Sequence, residues 1–290
     1  MLVPGVSPKG RYDARLVAFA TTLARARFLT LVPELLGMRR LRVGPGDIVA
    51  IADAARHLRS ETTKPLGFVA FSYAGGPALL AALEPDVGPT LRLVFLIGGY
   101  RDVEALATFV ATGHFRAGPK SPWQRAEPNP RGKWLFLLSN VDRVESDADR
   151  ALLRAIGERK FDDPAADIAE LRAGLGPEGR AIDAFLDNHD PALVPALIAG
   201  LPPGIRADMA ALDPARRDLS QLFPSLYLVH CTDDAVIPYT ESEALAKAVP
   251  DAVLFRVDSL ANVDLGPPSW FDALTLWRAA YLLLSERASD

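Results

Sequence analysis

The stretch "VAFSYAGGPALL" (residues 69–80) decides how this chain is read. A short apolar strand pattern, "PLGFVAFS" (65–72), ends at Ser72, and a helix-like run, "GGPALLAAL" (75–83), begins almost at once. A chain that turns this sharply strains its backbone at the turning residue. Small neighbours must then let strand and helix pass closely. Ala70, Ala74, Gly75 and Gly76 meet that need. The serine hydroxyl would stand exposed at a helix N-terminus, where the dipole and free N–H groups favour developing negative charge. The pattern is small-x-Ser-x-small-small, a relaxed form of the G-x-S-x-G nucleophile elbow. A strand–helix turn with small residues for packing alone would read the same way.

Outward from this turn, short apolar runs alternate with helical patterns. "RFLTLVP" (27–33) is rich in strand formers and stopped by Pro33. "DIVAIADAARHL" (47–58) has helical spacing, with Asp47 as N-cap. "LRLVFLIGGY" (91–100), "SLYLVHC" (225–231) and "AVLFRVD" (252–258) are further strand patterns. "YTESEALAKAVP" (239–250) separates the last two, and the amphipathic "SWFDALTLWRAAYLLLSER" (269–287) follows them. Continuous apolar strands alternating with helices imply a mostly parallel α/β sheet with helices on both faces. The stretch 101–219 breaks this rhythm with helix patterns and Pro or Gly breaks, and no strand is expected in it. The chain therefore divides into a core, 1–100 with 220–290, and an inserted helical cap, 101–219, that would shape a pocket over the sheet.

Composition narrows the function classes. The chain has 290 residues, enough for one large domain or a domain with an insertion. A net charge of −4, with both signs dispersed, leaves no nucleic-acid footprint and no polybasic membrane patch. No run reaches the ~18–20 apolar residues of a membrane span. The start, "MLVPGVSPKG", lacks the marks of a signal peptide. The one cysteine, Cys231, cannot form an internal disulfide, so a cytoplasmic setting is expected. No cofactor or metal is expected. "FSYAGGP" lacks the Lys-Ser/Thr of a phosphate loop, "LIGGY" lacks the G-x-G-x-x-G order, and no His/Cys/Asp set has ligand spacing.

Two further motifs carry chemistry. In "LVHCTDDAVIPYTES" (228–242) a strand is followed by two carboxylates and a helix. The stretch resembles the α/β-hydrolase pattern His-Gly-x-x-Asp-x-x-x-Pro, and the resemblance makes Asp234 the carboxylate that would orient the catalytic histidine, with Asp233 its neighbour. A polar turn capping a helix is the plainer alternative. In "LVPGVSPKG" (2–10) the same resemblance implies that the loop after the first strand lends a backbone N–H to an oxyanion hole, with Gly5 and Val6 as the candidates and the Tyr73 N–H as the second donor. A Pro-Gly turn without function is the alternative here.

Together, "LVPG", "AFSYAGG", "DDAVIPYTES" and "ANVD" resemble an α/β-hydrolase with a helical cap, of the bacterial serine-esterase kind, over nearly the whole chain. The resemblance implies the order Ser, Asp, His along the chain. It puts the third member on Asn262, in "Asn-Val-Asp" (262–264), where relatives carry His. An amide cannot act as a general base near pH 7. Cys231 also replaces a glycine of the family pattern. By the same resemblance the chain begins inside the third strand. The first two strands would be absent: either the true start lies upstream, or the sheet has an exposed edge for a partner such as a second copy to cover.

Four histidines could substitute. His57 lies on an amphipathic helix, His230 ends a strand, and His114 and His189 belong to the cap region. Packing or loop roles suit each at least as well. The expected activity is hydrolysis of a carboxylic ester or similar acyl substrate by Ser72, impaired at acylation because Asn262 stands in the place of His. A non-catalytic protein of the same fold, binding an apolar small molecule or a protein partner, is the competing expectation. A variant disabled by design is a third. Phe185, Leu193 and Leu197 of the cap suggest a hydrophobic acyl or aromatic ligand.

Overall fold

The computed structural model describes residues 1–258 and 270–286. In chain order its elements are β1 (Leu2–Val3), α1 (Ala14–Arg25), α2 (Leu36–Arg39), α3 (Gly46–Glu61), β2 (Leu66–Phe71), α4 (Gly75–Ala82) and β3 (Leu91–Ile97). Then come α5 (Val103–Thr112), β4 (His114–Phe115), β5 (Gln124–Arg125), α6 (Gly132–Asn140), α7 (Asp147–Asp162) and α8 (Ala169–Ala173). α9 (Pro177–Leu186), α10 (Val194–Gly200), α11 (Pro203–Ala211), β6 (Ser225–Cys231), α12 (Tyr239–Ala248), β7 (Val253–Val257) and α13 (Trp270–Ser285) complete the series. Five strands form one parallel sheet in the order β1-β2-β3-β6-β7.

The pleat sends alternate residues of each strand to opposite faces, and both faces are covered. Phe68, Ala70, Val94, Leu96, Leu226 and Leu228 point to one cluster, shared with Ile51 and Ala55 of α3, Leu79 of α4 and Leu245 of α12. Val69, Leu93, Phe95, Tyr227 and Val229 point to the other, shared with Leu16 and Leu23 of α1 and Ala279 and Leu283 of α13. This is why the strands read as continuous apolar runs rather than as alternating ones.

The segment between β3 and β6 has an apolar cluster of its own. Leu137, Leu153, Ile156, Ile182, Phe185 and Ile205 are each 0–1% exposed within it. A strand was not expected here. The structure places a short antiparallel pair, β4 with β5, with His114 opposite Arg125 and Phe115 opposite Gln124. Two-residue strands are too short for a period of two to show in a sequence.

Three other expectations are corrected. Residues 27–33 are not a ladder strand. Arg27 turns at φ +67° and Pro33 offers no donor, so the segment flanks β1 through one bond, Leu2 N–H to the Leu31 carbonyl at 2.8 Å. The edge beside β1 is therefore not bare, and Leu2 and Val3 are buried. Asp47 is not the N-cap of α3. Pro45 holds that position, and the Asp47 carboxylate accepts from Gly44 N–H at 2.9 Å inside the first turn. Finally, α13 is apolar on its outer face as well as its inner one, with Leu274, Trp277, Tyr281 and Leu284 exposed.

Candidate active site

Ser72 follows the last residue of β2 and adopts φ +55°. A β-carbon makes that left-handed conformation unfavourable by roughly 1–2 kcal/mol. The surroundings hold it there. β2 is hydrogen-bonded between β1 and β3, and every residue of α4 is buried. One turn of 3-10 helix, Ser72–Ala74, links strand to helix. Among the described residues Ser72 Oγ has no hydrogen-bond partner, and the residue is half-buried.

The loop after β1 lies against this turn. A Cβ on Gly5 would stand 3.0 Å from the Phe71 carbonyl oxygen and 3.5 Å from Ser72 Cβ. Val6 packs on the sheet core beside it. The space between Ser72 and this loop is too tight for any larger residue at position 5 without a shift.

Asp234 lies one strand beyond β3. Its Oδ1 accepts from Val236 N–H at 2.8 Å and Ile237 N–H at 3.1 Å, and its Oδ2 lies 3.4 Å from His230 Nε2. Burial opposes ionisation, but the His230 hydrogen bond and the two backbone donors outweigh it and hold the carboxyl below its ordinary range. Gly98, at φ +68° just past β3, would put a Cβ 3.3 Å from Asp234 Oδ2. Ser72 and Asp234 thus stand beyond the carboxyl ends of β2 and β6, the two strands that flank β3. Tyr73 joins them electrostatically. Burial first, and the Asp234 carboxylate second, push its phenol up. Asp233 is exposed. Asn262 lies outside the described residues.

His230 is 1% exposed and fully engaged. Its Nε2 faces the Ile237 carbonyl at 2.9 Å, which can only accept, so Nε2 carries the proton. Nδ1 then accepts from Ser242 Oγ at 2.6 Å. The ring fastens the Asp234 loop and has no nitrogen left for a substrate. His57 and His189 are exposed, and His114 is tied by Nδ1 to Thr112 in the β4 turn.

A cavity of about 90 Å³ lies between Tyr73 and the helical segment, lined by Tyr73, Tyr100, Leu106, Phe136, Met209 and Leu212 among others. Ser72 is not among its lining residues. Phe185, Leu193 and Leu197 do not line it either. Phe185 and Leu197 are spent on the segment's own core, and Leu193 is half exposed. Sequence reasoning missed Tyr100, whose hydroxyl donates to the Leu212 carbonyl at 3.0 Å and whose ring fills the space a side chain at Gly76 would need. The signal was the "GGY" (98–100) that follows β3. Among the described residues no group of three or more His, Cys, Asp or Glu could hold a metal ion, and no helix is long and apolar enough to cross a membrane.

No protein-family model matches the chain, and no curated protein matches it in sequence. In structure it is similar to a Legionella pneumophila protein designated a hydrolase, with TM-score 0.59 and 14% identity, over 100% of this chain and 80% of that one. A serine hydrolase of Cycloclasticus zankles aligns at TM-score 0.45 and 14% identity over 97% of this chain and 88% of that one. The parallel sheet, the strand–turn–helix at Ser72 and the Legionella likeness agree on the architecture: the chain has the α/β-hydrolase fold.

Proposed function

We propose that this protein is a serine hydrolase acting on a carboxylic ester or similar acyl substrate, with Ser72 as nucleophile. The observation that carries the reading is Ser72 at φ +55°. Backbone strain of this kind persists where the surroundings over-determine it, and it clusters at functional sites. In the reaction Ser72 Oγ adds to the acyl carbonyl. The Tyr73 N–H, with that of Gly5 or Val6, receives the developing oxyanion at the start of the helix. Asp234, ionised and held by its backbone donors, is the acid that would orient an imidazole; with none in place the serine proton passes to water, and the tetrahedral adduct collapses to the acyl-serine as the alcohol leaves. The helical segment 101–219 acts as a cap that bounds the acyl-binding space. The base is the weak member. Asn262 has no proton affinity near pH 7, and neither ring nitrogen of His230 is available. A triad without its base retains roughly 10³–10⁴-fold catalysis over water. A second reading, a ligand-binding protein without turnover, is favoured by the cavity's lining, which omits Ser72.

Hydrolysis of a short p-nitrophenyl ester by the protein, Asn262→His and Ser72→Ala separates these readings. The proposal expects weak Ser72-dependent turnover, a rise of about 100-fold or more with Asn262→His, none with Ser72→Ala, and fluorophosphonate labelling at Ser72. Turnover that survives Ser72→Ala, or no labelling in any folded form, overturns it.

A further inference from the structure

α13 rests on the sheet through Ala279 and Leu283, which join Phe95, Tyr227 and Phe255 in one cluster. Its outer face carries Leu274, Trp277, Tyr281 and Leu284, exposed by 48%, 63%, 58% and 44%. Their spacing is three, four, three. On a helix that spacing makes one straight stripe about 15 Å long. It is also the seven-residue apolar repeat that lets one helix pack along another at a shallow angle. Trp277 and Tyr281 stack at 5.5 Å with 21° between their planes, which gives the stripe a flat aromatic centre. Scattered exposed apolar residues need no explanation, whereas a contiguous stripe marks an interaction surface.

We infer that this stripe is a dimer interface, with α13 of a second copy packed antiparallel across it. The stripe reads the same from either end: Leu, aromatic, aromatic, Leu. A two-fold axis crossing the helix at residue 279 brings together positions equidistant from it. Leu274 then meets Leu284 of the second copy, and Trp277 meets Tyr281 of the second copy. The antiparallel pairing also opposes the helix dipoles. Few heterologous partners would be matched by such a palindrome.

The area is sufficient for a reversible dimer. A buried aromatic side chain covers ~150–250 Å², so Trp277 and Tyr281 offer about 200–250 Å² per copy at the exposures given. With the two leucines and the rim around Arg278, two copies bury on the order of 1,000 Å², the lower bound for a specific interface. A lipid surface suits the stripe less well, because amphipathic membrane helices flank their apolar face with several Lys or Arg. The same side of the molecule ends in β7, the terminal strand of the sheet among the described residues, where Val253 is also exposed.

Sedimentation of the full chain from about 1 to about 300 µM tests this. The expected mass rises from monomer to dimer, and Trp277→Glu with Tyr281→Glu weakens association by about 30-fold or more without changing circular dichroism, or Tm at concentrations where the parent is monomeric. In a Cys231→Ser background, oxidising a mixture of Leu274→Cys and Leu284→Cys chains should give the mixed disulfide dimer. Neither variant alone should cross-link, since like positions lie about 15 Å apart across the axis. A monomer at every concentration, a dimer indifferent to the double substitution, or preferential Leu274→Cys self-pairing overturns the inference. So does a monomer that instead sediments with phosphatidylglycerol vesicles through Trp277.

Discussion

The sheet and the helical segment between β3 and β6 bury their apolar residues in opposite ways. Each central strand of the sheet feeds two clusters, one on each face, so its backbone is gripped from both sides. The helical segment gathers α5, α6, α7, α9, α10 and α11 around one main cluster that takes nothing from the strands. The two regions meet through a small apolar cluster, in which Leu106 and Val110 of α5 join Tyr100 and Ile237, and through specific hydrogen bonds. Tyr100 reaches Leu212, the Ala235 carbonyl accepts from Asn129 N–H, and the Glu241 carboxylate of α12 receives the N–H groups of Arg101 and Asp102. The difference separates two tasks. A doubly gripped strand can hold a serine in a strained turn, while a helical unit with a main core of its own can set the size of a cavity beside that turn.

The largest expected effect tests this separation. Phe185 is 0% exposed and packs its ring 5.1 Å from Phe136. Phe185→Ala should cost about 3–5 kcal/mol. Hydrogen exchange should then show lost protection in α6, α7 and α9, with β2 and β3 still protected. Phe68→Ala removes the same ring from the sheet core and should open both regions, because the helical segment hangs from β3 and β6. If Phe185→Ala deprotects β2 and β3 equally, the molecule is one cooperative unit.

The joint between the regions gives the next effect. Glu241 is 4% exposed, and burial raises its carboxyl to about 7, against the pull of two backbone donors. A carboxyl whose folded pKa lies above its unfolded value favours folding while protonated. Its contribution is complete below about pH 4.5 and is lost as pH rises through about 7. The loss by pH 8 is on the order of 3 kcal/mol. Glu241→Gln keeps an oxygen for Arg101 and Asp102 but cannot ionise. It should flatten the decline between pH 4.5 and 8, measured by denaturant unfolding at each pH. Asp47, raised to about 6 by burial, has the same sign, so a residual slope is expected from α3. Asp234 acts oppositely, adding stability above its unfolded pKa and losing it as pH falls through its lowered one.

The same contrast explains what could be read in advance. The parallel sheet was legible because fully buried strands need long apolar runs, and the Ser72 turn was legible because strand, small residues and helix abut within a few positions. The helical segment was legible only as helices. Its core is made by residues far apart in sequence, so Phe185 and Leu197 looked like pocket residues when they pack against the segment itself. Tyr100 and Glu241 act across 112 and 140 residues of chain, a distance at which no local pattern reports. The outer stripe of α13 was read as one side of an ordinary amphipathic helix. The pattern of three, four, three was present, but only burial of the opposite face on the sheet reveals that the stripe is surplus.

The smallest effect bears on the turn itself. If the doubly gripped strand imposes φ +55° on Ser72, the cost falls on the β-carbon, and glycine removes it. Ser72→Gly should stabilise the protein by roughly 1 kcal/mol, because the left-handed conformation is open to glycine and the side chain makes no hydrogen bond to a described residue. Glycine's greater freedom in the unfolded chain subtracts from that gain, so Ser72→Ala is the necessary reference. Alanine keeps the β-carbon and the strain, and loses only the hydroxyl. The expected order of Tm is Ser72→Gly above both the parent protein and Ser72→Ala, with the last two close together. Were Ser72→Ala as stable as Ser72→Gly, the turn would not be strained by its β-carbon. The sheet would then hold this residue no more tightly than the helical segment holds its own.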